Sequence, residues 1–111
     1  MANKPHSNLL SNPDLHHLYG IYDFEKRVFF KFGISDKPIQ KNSSSSRIFP
    51  QVTLFNRVAD SKRFSGRILI YSIQGRRNAR KLEDAIILNF KEKYGKFPRG
   101  NTHHQFLKES N

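Results

Sequence analysis

The sequence predicts a small α+β domain in which helices flank a three-stranded antiparallel sheet, in the order β-β-α-β-α. The chain has 111 residues, the usual size of one domain with a single core. Apolar residues make up 36% of it and include ten Phe, enough to build that core. Short aromatic and β-branched runs come first, whereas later segments show helical spacing.

The first half of the domain is predicted to be a β-hairpin that follows a polar leader. Residues 1–16 contain two prolines and show no periodicity, so we interpret them as a leader or linker and residues 17–111 as the domain. The runs 18–24 and 28–34 are rich in aromatic and β-branched residues. Because the charged triplet 25–27 separates them, they are typical of two paired strands.

The remaining elements alternate between helix and strand. Residues 35–46 form a polar loop whose serines can cap a helix, and residues 47–59 have helical spacing. Residues 67–73 are apolar enough for a central strand. Residues 76–94 have the clearest helical pattern, and Gly95 supplies their C-terminal stop.

An even-numbered hairpin connection would bring a tyrosine close to a lysine. In that register Tyr22 pairs with Phe29, and Gly20 pairs with Lys31. Tyr22 and Lys31 then lie diagonally on one face, where Gly20 and Gly33 leave an open pocket. A nearby ammonium group lowers the pKa of a phenol, so Tyr22 is a candidate proton acceptor. The alternative is that Tyr22 only packs and that Lys31 reaches solvent.

Basic residues dominate the second half of the chain. The net charge is +11 and the pI about 10.3, and residues 61–100 hold eleven Lys or Arg against three acids. Such an excess is typical of proteins that bind a polyanion, above all nucleic acid. The candidate nucleic-acid contacts at the start of the long helix are Arg76, Arg77, Arg80 and Lys81. A solvated basic face and an acidic protein partner are the alternatives.

The composition excludes several kinds of site. The chain has no Cys, which excludes a disulfide scaffold, a Cys-based zinc site and a thiol nucleophile. No apolar run reaches the ~18 residues of a membrane span, so we expect no membrane partner; we also expect no small-molecule cofactor. His16, His17, His103 and His104 lack the spacing of metal ligands, and we interpret them as loop residues. His103 or His104 is a second-choice helper beside Asn101.

One acid lies where the long helix should face the core. Helical spacing from Ala79 puts four apolar residues on one stripe: Leu82, Ile86, Phe90 and Tyr94. Glu83 falls on the same stripe, whereas Asp84 points to solvent. A buried carboxylate needs an ion pair or a bound cation. Glu83 therefore pairs with a nearby Arg, sits at the edge of the stripe, or is a ligand for Mg²⁺, which needs only one or two protein carboxylates.

Together these residues resemble the GIY-YIG nuclease superfamily. Gly20-Ile21-Tyr22 resembles its first motif, and Lys31-Phe32-Gly33-Ile34-Ser35 resembles its second. The ordered motifs extend over residues 18–101. The segments ARKLEDAII and PRGN resemble in particular the small GIY-YIG toxin domains at the C-termini of bacterial polymorphic toxins.

The resemblance implies a role for each residue near the hairpin. Tyr22 would be the general base or the activator of water. Lys31 stands where the second motif usually has a tyrosine, and it would help Tyr22 to ionise. Either Tyr22 or Lys31 would accept the proton. Arg47 would hold the scissile phosphate, with Arg57 as the alternative. Gln51 stands where the superfamily often has His or Tyr.

Glu83 and Asn101 complete the implied site. Glu83 would be the protein ligand for Mg²⁺ or another divalent cation, and Asn101 a closing amide. The resemblance then implies a metal-dependent endonuclease that hydrolyses phosphodiester bonds, with DNA as substrate and low sequence specificity. An RNA-cleaving toxin, a restriction-type endonuclease and a non-catalytic nucleic-acid-binding module are the alternatives.

The resemblance also implies a biological setting. The domain would be secreted by a bacterium as part of a larger toxin and would act in the cytoplasm of a target cell. An acidic immunity protein would neutralise it.

Overall fold

The computed structural model describes residues 9–40 and 45–101 as one antiparallel sheet with helices packed on it. The elements are β1 (Leu15–Asp23), β2 (Val28–Ser35), α1 (Ile48–Ala59), β3 (Phe64–Gln74) and α2 (Arg76–Tyr94). The predicted fold class and element order are confirmed. Within the described residues, neither helix has the length and apolar character needed to cross a membrane.

The first strand is the central one. β1 pairs antiparallel with both neighbours, so the strand order is β2-β1-β3 and β2 is an edge strand. The chain after α2 covers part of that edge: the Gly100 N–H donates to the Phe30 carbonyl at 2.7 Å. The side chain of Asn101 bonds the backbone of Phe32. A covered edge is blocked from pairing with another chain.

Neighbouring residues of β1 belong to opposite halves of the core, because side chains alternate between the two faces of a strand. Leu18 packs in a cluster with Ala79 of α2. Tyr19 and Ile21 pack with Ile48 of α1. The helices therefore lie on opposite faces of the sheet, and a site at its edge can draw residues from both.

A β-bulge changes the predicted hairpin register. Tyr22 has its predicted partner, but Lys31 pairs with Ile21 rather than with Gly20. Phe30 is the extra residue between these two pairs, and it shifts all later pairs by one. The predicted diagonal contact between Tyr22 and Lys31 is therefore wrong, since the two side chains lie on opposite faces.

Two boundaries also differ from the prediction. β1 begins at Leu15, inside the predicted leader 1–16, because β3 is long enough to pair with this end of the strand. His16 and His17 are consequently buried strand residues rather than loop residues. β3 begins earlier than predicted, at Phe64.

The buried stripe of α2 is rotated slightly from the predicted one. Leu82 and Tyr94 are 39% and 47% exposed, respectively. Asp84 is only one-third exposed rather than fully solvated, since it lies beside Arg80. The prediction that Glu83 faces the core is confirmed. The buried residues of α2 are Ala79, Glu83, Ile87 and Phe90.

Candidate active site

Polar side chains gather in a pocket of about 370 Å³ at the edge of β2. Tyr19 reaches it from the face that α1 covers, and Glu83 reaches it from α2 on the other face. We call this space the edge pocket. Its polar and charged lining residues are Tyr19, Lys31, Arg47, Arg76, Arg80, Glu83 and Asn101.

Tyr19 reaches the edge pocket across a glycine. Tyr19 and Gly33 are cross-strand partners, and a Cβ at position 33 would lie 2.8 Å from Cε1 of the tyrosine ring. The space beside Gly33 is thus occupied by Tyr19 rather than open, as the space beside Gly20 is occupied by the ring of Phe29. The Tyr19 ring is buried and packs with Ile48, which fixes where its hydroxyl lies.

Gln51 of α1 connects Tyr19 to Lys31. Its Oε1 accepts a hydrogen bond from Lys31 Nζ at 2.6 Å. Its Nε2 donates to the Arg47 carbonyl at 2.7 Å and to the Tyr19 hydroxyl at 2.9 Å. Because an ammonium group only donates and a carbonyl only accepts, these partners fix the orientation of the amide. The Tyr19 oxygen therefore accepts from Gln51, and its own proton points away from this amide.

Lys31 is a half-buried cation in this network. Burial lowers its pKa, and the positive charge of Arg47 lowers it further. The negative charge of Glu83 acts in the opposite direction. A phosphate or a phenolate in the edge pocket would stabilise the charged form of Lys31.

Glu83 is the buried carboxylate of the edge pocket, with 6% of the residue exposed. Burial raises its pKa to about 7, and Arg80 only partly opposes this. Arg80 Nε lies 3.6 Å from Glu83 Oε1 and 3.6 Å from Asp84 Oδ1, so the predicted ion-pair alternative is present. Glu83 therefore combines an ionic partner with a strong preference for additional positive charge.

The donor set fits a metal held by a single carboxylate. In the part of the chain that the structure describes, no group of three or more His, Asp or Glu is arranged to hold a metal ion. Mg²⁺ accepts one or two carboxylates when water and substrate phosphate complete its shell. Glu83 beside a phosphate-sized pocket meets that requirement.

Three arginines make the edge pocket positive. Arg76 and Arg80 lie one turn apart at the start of α2, where the helix dipole adds to their charge. Arg47 directly precedes α1, and its backbone N–H donates to the Ser45 hydroxyl at 3.3 Å. Guanidinium groups bind phosphate with charge-assisted hydrogen bonds, so this arrangement suits a phosphate group.

The amide of Asn101 serves as a wall of the edge pocket. Its Nδ2 donates to the Phe32 carbonyl, and its Oδ1 accepts from the Phe32 N–H, both at 2.9 Å. Both ends of the amide thus bond the backbone of β2, and they hold the chain after α2 against the edge strand.

A family model described as "URI fold toxin 2" matches residues 10–95. The chain belongs to this toxin family. We found no match to the chain among curated proteins or among solved structures. The part that matches the URI fold toxin 2 model includes every strand and helix of the described fold. Asn101 lies beyond it.

Two residues predicted for the site of this URI fold toxin 2 domain lie elsewhere. Tyr22 does not line the edge pocket: its ring packs against Phe24 and Phe29, with centroids 5.3 and 5.2 Å away. Arg57, the alternative phosphate ligand, lies in the last turn of α1, at the opposite end from Arg47.

The four predicted nucleic-acid contacts divide into two pairs. Arg76 and Arg80 line the edge pocket, whereas Arg77 and Lys81 are exposed on the adjacent face of α2. The two C-terminal histidines predicted as possible helpers, 103 and 104, lie outside the described residues.

Tyr19, which lines the edge pocket, and Gln51, which bonds Tyr19 and Lys31, are not among the site residues predicted from the sequence. A signal for Tyr19 was present, because a large ring opposite Gly33 is a recurrent way of covering a glycine in a sheet. That signal becomes readable only once the bulge at Phe30 is known. Gln51 had a signal only through the resemblance, since it stands where the superfamily often has His or Tyr, and helical spacing alone does not single it out.

Proposed function

We propose that this toxin domain is a metal-dependent endonuclease of the GIY-YIG type and that the edge pocket is its active site. The observation that supports this best is the convergence of Tyr19, Lys31, Arg47 and Glu83 on a space of about 370 Å³. A phenol, an ammonium, a guanidinium and a carboxylate are the groups that phosphodiester hydrolysis uses to move a proton and to balance charge.

Tyr19, in place of Tyr22, accepts the proton of the attacking water in this proposal. Gln51 donates to the Tyr19 oxygen and so holds it in place, while Lys31 places a positive charge at the other end of the same amide. Gln51 is therefore a positioning residue that aligns Tyr19 and transmits the effect of Lys31.

The arginines bind the substrate. Arg47, Arg76 and Arg80 surround the pocket and neutralise the charge that develops on the phosphate. Arg57 is too far along α1 to share this task, so we assign the scissile phosphate to Arg47.

Glu83 holds the divalent cation, for which we propose Mg²⁺. When bound, the ion supplies Lewis-acid stabilisation of the leaving 3′ oxygen. Glu83 contributes a carboxylate whose charge is disfavoured by burial in the absence of a cation. Arg80 keeps that carboxylate oriented toward the edge pocket.

We propose DNA as the substrate on the resemblance to the GIY-YIG superfamily. Little sequence preference is proposed because the pocket is built from groups that recognise phosphate rather than base edges. We further propose that the domain is delivered by a secreted bacterial toxin to the cytoplasm of a target cell. An acidic immunity protein would complement the net charge of +11.

The test is cleavage of plasmid DNA and total RNA, in parallel, with Mg²⁺ and with chelator. Tyr19→Phe should reduce cleavage by about 10²- to 10⁴-fold, the usual effect of removing a general base. Tyr22→Phe is a matched control, since it removes the same hydroxyl from the same strand outside the edge pocket. Loss of cleavage in Tyr22→Phe with activity retained in Tyr19→Phe would reverse our assignment. Binding without any cleavage by the wild type would favour the non-catalytic module.

A second variant tests the positioning role of Gln51. Gln51→Glu keeps an acceptor for Lys31 but loses the donor to Tyr19 and adds a negative charge. The pH at which kcat rises should therefore move upward. Gln74→Glu, at an exposed position at the end of β3, introduces the same charge away from the pocket and should leave that profile in place. An unchanged profile in Gln51→Glu would remove Gln51 from the mechanism.

A further inference from the structure

A second pocket, of about 480 Å³, is lined by the beginning of β2 and the end of α2. We call it the aromatic pocket. Its lining comes from residues 26–29, from Phe90 and Tyr94 of α2, and from Lys96, Phe97 and Arg99 of the following segment.

The charged residues that line the aromatic pocket are all basic. Four of its lining residues are basic, namely Lys26, Arg27, Lys96 and Arg99, and none of the described lining residues is acidic. Arg99 is also ion-paired with the buried Asp23, which fixes its position. A ligand that enters this space between cations is favoured when it is an anion.

Aromatic rings form the floor of the aromatic pocket. The centroids of Phe90 and Tyr94 are 4.5 Å apart, and Phe29 and Phe97 complete the apolar surface. Tyr94 is 47% exposed, so part of its ring surface faces solvent, and Lys93 Nζ lies 5.4 Å from its centroid. Lys91 Nζ lies 4.5 Å from the Phe97 centroid, so cations and rings alternate here. An exposed ring among cations, here that of Tyr94, is a combination that binds single-stranded nucleic acid by stacking and phosphate contact.

Both pockets are lined by residues of β2 and α2. The edge pocket uses residues 31–34 of β2 and Glu83 of α2, whereas the aromatic pocket uses Phe29 and Phe90. At 1.5 Å per helical residue, Phe90 is about 10 Å and Tyr94 about 16 Å along the axis from Glu83. At about 3.4 Å per stacked nucleotide, this is roughly three to five nucleotides.

We propose that the aromatic pocket binds a nucleobase and its flanking phosphate, about three to five nucleotides from the bond in the edge pocket. This rests on the proposed function, because it extends the path of the substrate strand beyond the edge pocket. The chemistry recognised is a planar base with an anionic backbone, which DNA and RNA share.

The first experiment measures binding by fluorescence anisotropy in chelator, with fluorescein-labelled strands of four and ten nucleotides. Oligodeoxynucleotides and oligoribonucleotides form separate arms and identify the preferred source of the base. Tyr94→Leu should weaken binding of the ten-nucleotide strand by about 5- to 100-fold, the usual effect of losing one stacked base. Tyr94→Phe keeps the ring and should stay close to wild type. Tyr71→Leu, an exposed tyrosine of β3, is the matched control.

The second experiment measures how binding depends on salt. Lys96→Gln should lower the slope of log K against log salt by about 0.7, the value for one phosphate contact of a single strand. Lys62→Gln removes the same charge at an exposed position outside both pockets and should change the slope less.

Equal losses in Tyr94→Leu and Tyr71→Leu, or an advantage of the longer strand that survives Tyr94→Leu, would overturn the proposal. These outcomes are separate from failure of the proposed nuclease. If the wild type cuts no nucleic acid but Tyr94→Leu binds the strand more weakly than wild type, the aromatic pocket remains supported as a binding site. If the wild type cuts nucleic acid and Tyr94→Leu binds as well as wild type, only the nuclease remains supported.

Discussion

The carboxylate of Glu83 should cost the folded protein stability at neutral and alkaline pH. Its pKa is raised from 4.5 to about 7, and burial is the largest cause of this shift. The folded state therefore holds a proton that the unfolded state releases between these pH values, so stability falls as pH rises through this range. At about 1.4 kcal/mol per pKa unit, the loss is of the order of 3 kcal/mol at pH 8.

Glu83→Gln removes that cost while keeping the shape of the side chain. We expect the variant to be more stable than wild type at pH 8 by about 1 to 3 kcal/mol, and no more stable at pH 4. The same variant should lose cleavage, because an amide is a poor ligand for Mg²⁺. A residue that destabilises the fold and is needed for activity is typical of a functional site.

The assay is urea unfolding followed by far-ultraviolet circular dichroism at pH 4 and pH 8, in chelator. Taking the difference between variant and wild type cancels other titrating groups. Glu92→Gln makes the same change at an exposed position of α2 and controls for the loss of one negative charge. If Glu83→Gln exceeded the wild type in stability equally at both pH values, the reasoning would be refuted, because the ionisation of Glu83 is what makes its cost depend on pH.

Two further substitutions test how the site is supported. Gly33→Ala places a methyl group against the buried Tyr19 ring and should lower the free energy of unfolding by about 1 to 3 kcal/mol, measured by urea unfolding; an unchanged midpoint would mean that the ring moves freely. Asp23→Asn should cost about 3 to 5 kcal/mol, because Arg63 and Arg99 would lose a fully buried carboxylate. Pairing with Arg63 holds the pKa of Asp23 well below its usual range, so wild type should lose this stability only as pH falls below about 4. Stability of Asp23→Asn equal to wild type at pH 7 would contradict the ion-pair argument.

Local patterns predicted most of the fold. Gly95 ends α2 in the left-handed conformation at a φ of 79°, as expected of a glycine that follows a long helix. Glu83 was located by helical spacing alone, because the positions of side chains around a helix depend only on residue number.

The site depended on features that are not local. The bulge at Phe30 decides which tyrosine reaches Lys31, and no residue type in the hairpin marks it. The bonds of Gln51 join residues twenty and thirty-two positions away, so they appear only after α1 has been placed on the sheet. Spacing could identify candidate groups for the chemistry, but their grouping required the register.

The segment after α2 determines how far the domain can be shortened at its C-terminal end. A chain ended at residue 95, the limit of the family match, would keep both helices and all three strands. It would nevertheless lose the buried Phe97, the amide that bonds Phe32, and one wall of the edge pocket. We expect such a truncated chain to associate through the bared side of β2 and to be inactive. We therefore expect the minimal active domain to extend at least to Asn101.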